Sequence, residues 1–598
     1  MNYIYNVLLM LAVFFFLPST IKGQPTFQYE ETASKALPAE DGEFQPHLFP
    51  NYPLRETRAV WLTTIGGLDW PRTKATDYAS RERQKAELVK ILDNYKRANI
   101  NTVIFQTRVR AAVMYPSKIE PWELSLTGTA GREPGYDPLA FCIEECHKRG
   151  MELHAWVVCI PIGTTQRQNG YGSASLVKKR RDLVKTAKGG EMFMIPGKPQ
   201  TADYIASICR EIAENYDIDG ISLDYIRYPE SVYNFSDDEL YPRSSGLSKA
   251  EWRRENITRI VRAVHDAVKP IKPWVKLSSS PIGKYADTRR YSAGGWNCYH
   301  AVYQDPRLWL RENYQDMLFP MMYFTGNNFY PFIFDWAENC YGHPVVPGLG
   351  IYFLDPREGR WQLNDVRAEM HTARNSGIGG IAFYRGEFLT KNVKGIYDAT
   401  CDEFFPYPAL TARMTWMGDT LAPSAPSYLR YDNGKLLWTP SLPAASASQH
   451  PSLAQPQHLP SAQPQHLSSA QSQHSPLAKP QHSPSAQLRH PHNYILYNVY
   501  GSNTYPVNVA KAENLLATNV RAAEYELAGR ALTVRHYAVT AIDRFGNESP
   551  ATQEAKPTVE LPKHINVPHL INRDLQNTKV TKKGKKVNKK KTSKKKVK

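Results

Sequence analysis

The segment from Asp219 to Pro229, DGISLDYIRYP, places an aspartate, an arginine and two tyrosines at the end of an apolar run. Ile221 and Leu223 alternate with Ser222 and Asp224, the period-two pattern of a strand. That parity puts Asp224 on the opposite side from Asp219, Ile221 and Leu223. The run then breaks into Tyr225, Arg227 and Tyr228 before Pro229. A carboxylate beside a guanidinium and phenols suits sugar chemistry, because acids and arginines take hydroxyls while aromatic rings stack on sugar faces. Glycoside hydrolysis commonly uses two carboxyl groups, one to protonate the leaving oxygen and one to attack or to activate water. Asp224 is the first choice for one of them. Glu387 is the preferred partner, with Asp69, Asp355 and Glu123 open by position. The competing reading of Asp224 is an ion pair with Arg108 or Arg227 that only fixes loops.

Something must hold these groups, and the chain between Arg58 and Leu389 alternates strand-like runs with helical periodicity eight times. The strands read as RAVWLTT from Arg58, NTVIFQTR from Asn101, MELHAWVV from Met151 and the Asp219 segment. VKLSSSPIG from Val275, DMLFPMMYF from Asp316, VVPGLGIYF from Val345 and IGGIAFYRGEF from Ile378 complete the set. Apolar residues recur at helical spacing between them, as at Leu88, Ile91, Leu92 and Tyr95 or at Ile257, Ile260, Val261 and Val264. This predicts a (β/α)8 TIM barrel, an α/β fold whose reactive groups gather at the carboxyl ends of the strands. That rim collects Asp69 and Trp70, Gln106 and Arg108, His154 and Trp156, then Asp224, Arg227 and Tyr228. Tyr323, Tyr352 and Asp355, and finally Tyr384, Arg385 and Glu387 follow from the last strands. Arg108, His154, Trp156, Arg227, Tyr228, Tyr323, Trp70 and Tyr352 are therefore the substrate-binding candidates. His154 lacks a companion at metal-ligand spacing, so no metal is expected, and with no Gly-rich phosphate loop no cofactor is expected either.

The 598 residues exceed one ordinary core. The expected barrel spans 52–420. After Pro-rich APSAPS at Ala422, short strand-like runs over 422–557 predict a small all-β immunoglobulin-like sandwich, with Trp438 as its core indole and AIDRFGNES as its last hairpin. It resembles a fibronectin type III domain. A stretch over 442–492 interrupts it with His450, His458, His466, His474, His482 and His490 at eight-residue spacing among Gln, Ser, Ala and Pro, a composition that cannot bury a core.

The formal charge is +17, but 12 lysines between Lys579 and Lys598 account for most of it and leave +5 elsewhere. The basic tail over 558–598 reads as a solvated segment able to meet anionic envelope components electrostatically. With no aromatic residues among its lysines, nucleic acid is not the expected partner. Residues 1–23 read as a signal peptide, with an apolar core from Val7 to Leu17 too short to span a membrane, although no Lys or Arg precedes it. The expected location is the periplasm or cell surface. Seven cysteines, an odd number, argue against a disulfide framework.

The barrel region resembles the glycosyl hydrolase-like 10 family over about Glu56 to Phe405. The likeness rests on ETRAVWLTTIGGLDWP at Glu56, IFQTRVRAAVMYPSKIEPWELSLTG at Ile104, PGYDPLAFCIEECHKRGMELHAW at Pro134, DGISLDYIRYP, YQDPRLWL and FPMMYF. It implies a barrel glycosidase, with activity in some relatives on peptidoglycan strands that have lost their stem peptides. By motif it favours Arg108, Asp137, His154, Trp156, Asp224, Arg227 and Tyr323 as site or site-supporting positions. Two departures stand out. Many relatives follow HAW with an Asn-Pro-Tyr-Arg turn where this chain has Val157 to Pro161, and some carry two adjacent aspartates where it has Asp224-Tyr225. The chitinase pattern DGxDxDxE is also incomplete, since Ile226 stands where its glutamate would be. The expected function is hydrolysis of an envelope polysaccharide, with a non-catalytic carbohydrate-binding barrel as the alternative.

Overall fold

The computed structural model describes residues 52–288, 294–417, 420–441 and 495–554. The expected signal peptide, the histidine repeat and the lysine tail lie outside these residues. Eight parallel strands form one sheet: β1 (Thr57–Leu62), β2 (Thr102–Arg108), β3 (Glu152–Val158), β7 (Gly220–Asp224), β8 (Lys276–Ser279), β9 (Met317–Leu318), β10 (Gly348–Leu349) and β11 (Gly380–Phe383). β1 pairs with both β2 and β11. Parallel bridges Leu318 to Val345 and Met321 to Gly348 join β9 to β10 and close the ring. Helices Tyr78–Arg97, Pro138–Lys148, Pro199–Asn215, Lys249–Val268 and Leu363–Asn375 return the chain between strands.

Strands buried on both faces are needed in such a ring, and all residues of β1, β2, β7, β8 and β11 are buried. The interior packs Ala59, Trp61, Ile104, Trp156, Phe319 and Ala382. Gly220 lies where only hydrogen fits, because a Cβ there would come within 2.6 Å of the His154 ring.

Between β3 and β7 the chain makes an excursion that the strand alternation did not announce. β4 (Pro161–Thr164), β5 (Val184–Thr186) and β6 (Glu191–Met194) form a three-stranded antiparallel sheet with β6 in the middle. It leaves β3 within three residues of Val158, beside the mouth of the barrel.

The C-terminal residues form two antiparallel sheets. β12 (Ser427–Asp432), β13 (Lys435–Thr439) and β16 (Glu524–Glu526) make one; β14 (Leu496–Ser502), β15 (Leu515–Val520), β17 (His536–Ile542) and β18 (Thr552–Gln553) make the other. Leu436, Trp438, Tyr497, Val499, Tyr537 and Val539 share the core between them. This unit meets the barrel at the amino ends of its strands. Arg544 spans Asp217 and Asp219, each at 2.9 Å. Gly150, at φ +70°, presses so closely that a Cβ would lie 2.2 Å from the Thr518 carbonyl oxygen. The first aspartate of DGISLDYIRYP is thus part of an interface, at the far end of the strand from Asp224. All seven cysteines are free.

Candidate active site

β7 ends on Asp224, whose neighbour in register is Val158 of β3. Trp156, also on β3 and packed in the barrel interior, donates its Nε1–H to Asp224 Oδ2 at 2.9 Å. The backbone N–H of Tyr225 donates to Oδ1 at 2.7 Å, a geometry that the positive φ of Tyr225, 49°, brings about. Burial pushes the Asp224 carboxyl above the ordinary carboxylate range, against the pull of Arg227, the Tyr225 amide and the Trp156 indole. The aspartate is 5% exposed, at the carboxyl end of its strand and not open to bulk water.

Aromatic rings stand around it. Tyr323, from the segment after β9, stacks on Tyr384, at the end of β11, with centroids 5.2 Å apart and planes at 27°. Tyr352 meets both edge-on, at 5.8 and 5.7 Å. Burial raises the phenols of Tyr323 and Tyr384; the neighbouring tyrosines add to this at Tyr323, Arg385 opposes it at Tyr384, and the Asp224 charge makes a smaller upward contribution to each. On another side the Arg227 guanidinium lies over Tyr225 at 4.3 Å and Trp296 at 5.5 Å. It donates to Glu230 at 2.7 Å, while its Nε and Nη1 take no partner. Asp224, Trp156, Arg227, Tyr323 and Tyr352 are therefore brought together, with Tyr225, Tyr384 and Trp296 completing the walls.

Four other expected positions lie elsewhere, each for a physical reason. Arg108 is fully buried and grips Glu120 through Nε at 2.8 Å and Nη2 at 2.6 Å, with Tyr204 on the same carboxylate. A register shift between Gln106 and Arg108 turns this side chain out of the strand's alternation. His154 is fully buried four residues before Val158, about 13 Å down the strand at the usual rise, where its Nε2 meets Glu152 at 3.3 Å. The group that orients Asp224 is Trp156. Trp70 is fully buried, donates to the Gln84 carbonyl and packs on Phe105. Tyr228, 1% exposed, takes a hydrogen bond from Asn256 and packs on Tyr303 behind the strand end.

Glu387 is at the rim but is clamped. Arg385, Arg72 and Lys391 all bind its carboxylate. Burial opposes its ionisation, yet Lys391, Arg385 and Arg72 outweigh it and hold the group below its usual range. Such a group stays ionised at neutral pH and carries no proton to donate. Asp69 takes Arg385 at 2.5 Å together with the amides of Thr63 and Glu387. Asp355 is held at about 2 by Arg357. Glu123 accepts from Arg167 and Tyr171. Asp137 caps the helix Pro138–Lys148 and accepts from Tyr216 at 2.7 Å, on the outside of the barrel. There a groove of about 700 Å³ runs between that helix and Pro199–Asn215, away from Asp224.

Residues 56–347 match the family model described as glycosyl hydrolase-like 10. The chain is 32% identical over 420 residues to the glycosyl hydrolase YngK of Bacillus subtilis, covering 64% of this chain and 79% of that protein. It is 36% identical over 287 residues to the glycosyl hydrolase DigH of Escherichia coli K12, covering 44% of this chain and 65% of that one. Among solved structures, the alpha-L-fucosidase isoenzyme 2 from Paenibacillus thiaminolyticus aligns at a TM-score of 0.38 with 13% identity, over 58% of this chain and 50% of the other.

Proposed function

The chain belongs to the glycosyl hydrolase-like 10 family and is a glycoside hydrolase, and on that premise we propose that it is exported and cleaves a cell-envelope glycan, most simply peptidoglycan glycan strands. The single observation that carries the catalytic reading is Asp224: a buried carboxyl with a raised proton affinity, fixed by two N–H donors at the carboxyl end of a barrel strand, among tyrosines that can stack a sugar. Arg227 offers two unpartnered N–H groups to substrate hydroxyls or carboxylates beside it. The envelope substrate is inferred from the family resemblance and from the leader-like residues 1–23, and the same reading places the protein in the periplasm or at the cell surface. In it the two C-terminal sheets are a fibronectin type III-like sandwich, and the lysine tail contacts anionic envelope polymers.

The test is release of reducing ends from purified peptidoglycan, with and without prior amidase removal of stem peptides, comparing wild type with D224N. Release by wild type and its loss in D224N is the expected result. Glycan binding without release in both proteins would replace the hydrolase by a carbohydrate-binding barrel.

A further inference from the structure

Arg227 places a positive charge beside Asp224 that the protein satisfies only in part. The residue is 4% exposed, and its guanidinium lies over the rings of Tyr225 at 4.3 Å and Trp296 at 5.5 Å. A ring over the face takes none of the N–H hydrogens, which point outward in the guanidinium plane. Nη2 donates to Glu230 at 2.7 Å, while Nε and Nη1 take no partner. Other arginines around the rim are engaged by protein carboxylates: Arg108 by Glu120, Arg357 by Asp355, and Arg385 by Asp69 and Glu387. A buried donor without an acceptor costs stability, so two on one side chain call for an acceptor that the protein does not supply.

Tyr225 fixes where that acceptor must lie. Its backbone N–H donates to Asp224 Oδ1 at 2.7 Å, and its ring carries the Arg227 guanidinium. Its positive φ, 49°, turns the chain between the two groups. Asp224 and Arg227 thus hold one residue by its backbone and by its ring, so a group bound to Arg227 belongs to a sugar at the linkage that Asp224 serves. The Trp296 ring, 37% exposed, covers Arg227 toward solvent, and a ligand reaches the two N–H groups past it. Chemistry then selects the acceptor. A hydroxyl leaves the buried charge unmatched, whereas a carboxylate answers both the charge and the N–H groups, with bonds about twice as strong as neutral ones.

Resting on the hydrolase reading above, we infer that Arg227 sets the substrate class: it binds a carboxylate carried by a sugar at the scissile linkage, and the enzyme thereby selects acidic glycans over neutral ones. On peptidoglycan that group is the lactyl carboxylate, which is tied up as an amide while a stem peptide is attached and is set free when the peptide is removed.

The experiment uses peptide-stripped glycan strands in two forms, one with free lactyl carboxylates and one in which carbodiimide coupling to ammonia has made them neutral primary amides. Full-length wild type, R227M, R227K and R110M are compared for kcat and KM on each form, with thermal unfolding of every protein. A hydrogen bond to a charged group contributes about 10–100-fold, so wild type is expected to prefer the carboxylate form by that factor in kcat/KM, chiefly through KM. R227M should lose the preference, its two kcat/KM values converging. R227K, which keeps the charge without the planar fork, should retain part of it. R110M, whose arginine stands 4.0 Å from Glu191 on β6, should keep it in full. Equal cleavage of both forms by wild type overturns the assignment whether or not the variants fold, and leaves the hydrolase reading intact. So does a preference that survives in R227M, or one lost in R110M instead. Release from neither form by wild type overturns both.

Discussion

Replacing Trp156 by phenylalanine removes one N–H from Asp224 and leaves an aromatic ring in the barrel interior. The indole donates to Oδ2 at 2.9 Å in a buried setting, and a hydrogen bond to a charged group contributes roughly 1.5–3 kcal/mol. The bond favours the ionised form, so its loss raises the Asp224 pKa. At about 1.36 kcal/mol per unit, the shift is about 1–2 units upward. Burial already holds this carboxyl above the ordinary range, and if Asp224 works as the carboxylate, the acidic limb of kcat/KM against pH reports it. W156F should therefore move that limb up by about 1–2 pH units, leaving the alkaline limb in place. The assay is reducing-end release from peptide-stripped glycan strands across pH, on protein whose unfolding midpoint has been checked. An acidic limb that stays put, or moves down, refutes the assignment of Trp156 as the residue that tunes Asp224.

R108M, which leaves Glu120 buried without its cation, should cost about 3–5 kcal/mol in urea unfolding, while the fraction that remains folded keeps its KM; a raised KM at unchanged stability would restore Arg108 to the binding site. Glu369, in the helix Leu363–Asn375, is buried with both carboxylate oxygens unpartnered, and burial raises its pKa well above the usual value. A raised folded pKa penalises the fold as pH rises above the unfolded value of about 4.3. E369Q should match wild type in thermal midpoint near pH 4 and exceed it progressively toward pH 8; a gap that does not widen contradicts this. Arg544 links the C-terminal sheets to Asp217 and Asp219, so R544M should make the junction between the barrel and those sheets cleavable in limited proteolysis, with an intact junction as the opposing result.

The eight barrel strands were legible because each is an apolar run flanked by helical periodicity, and period two settled which face Asp224 takes. The same rule misplaced Arg108, because the shift after Gln106 breaks the alternation within a single residue, and a bulge leaves no mark in residue types. His154 failed on depth: a strand's parity says which face a side chain takes, whereas its height decides whether it reaches the mouth. Trp70 and Tyr228 sit beside rim residues in sequence but turn into the helix layer, where Gln84 and Asn256 satisfy their polar atoms. The excursion over Pro161–Met194 escaped notice because its strands are only three or four residues long. That Glu387 is clamped was out of reach of sequence, since it turns on which cations gather around its carboxylate. Arg385 and Lys391 flank Glu387 in sequence, but Arg72 reaches the same carboxylate from a distant part of the chain.

The most direct measurement is a crystal structure of D224N with a glycan oligomer from stripped peptidoglycan. A sugar ring seated on Tyr323 and Tyr384, with the D224N side chain within hydrogen-bond reach of the linkage or its substituents, about 2.6–3.2 Å, is the predicted result. An oligomer held in the outer groove beside Asp137 and Tyr216, with the barrel mouth vacant, would contradict it.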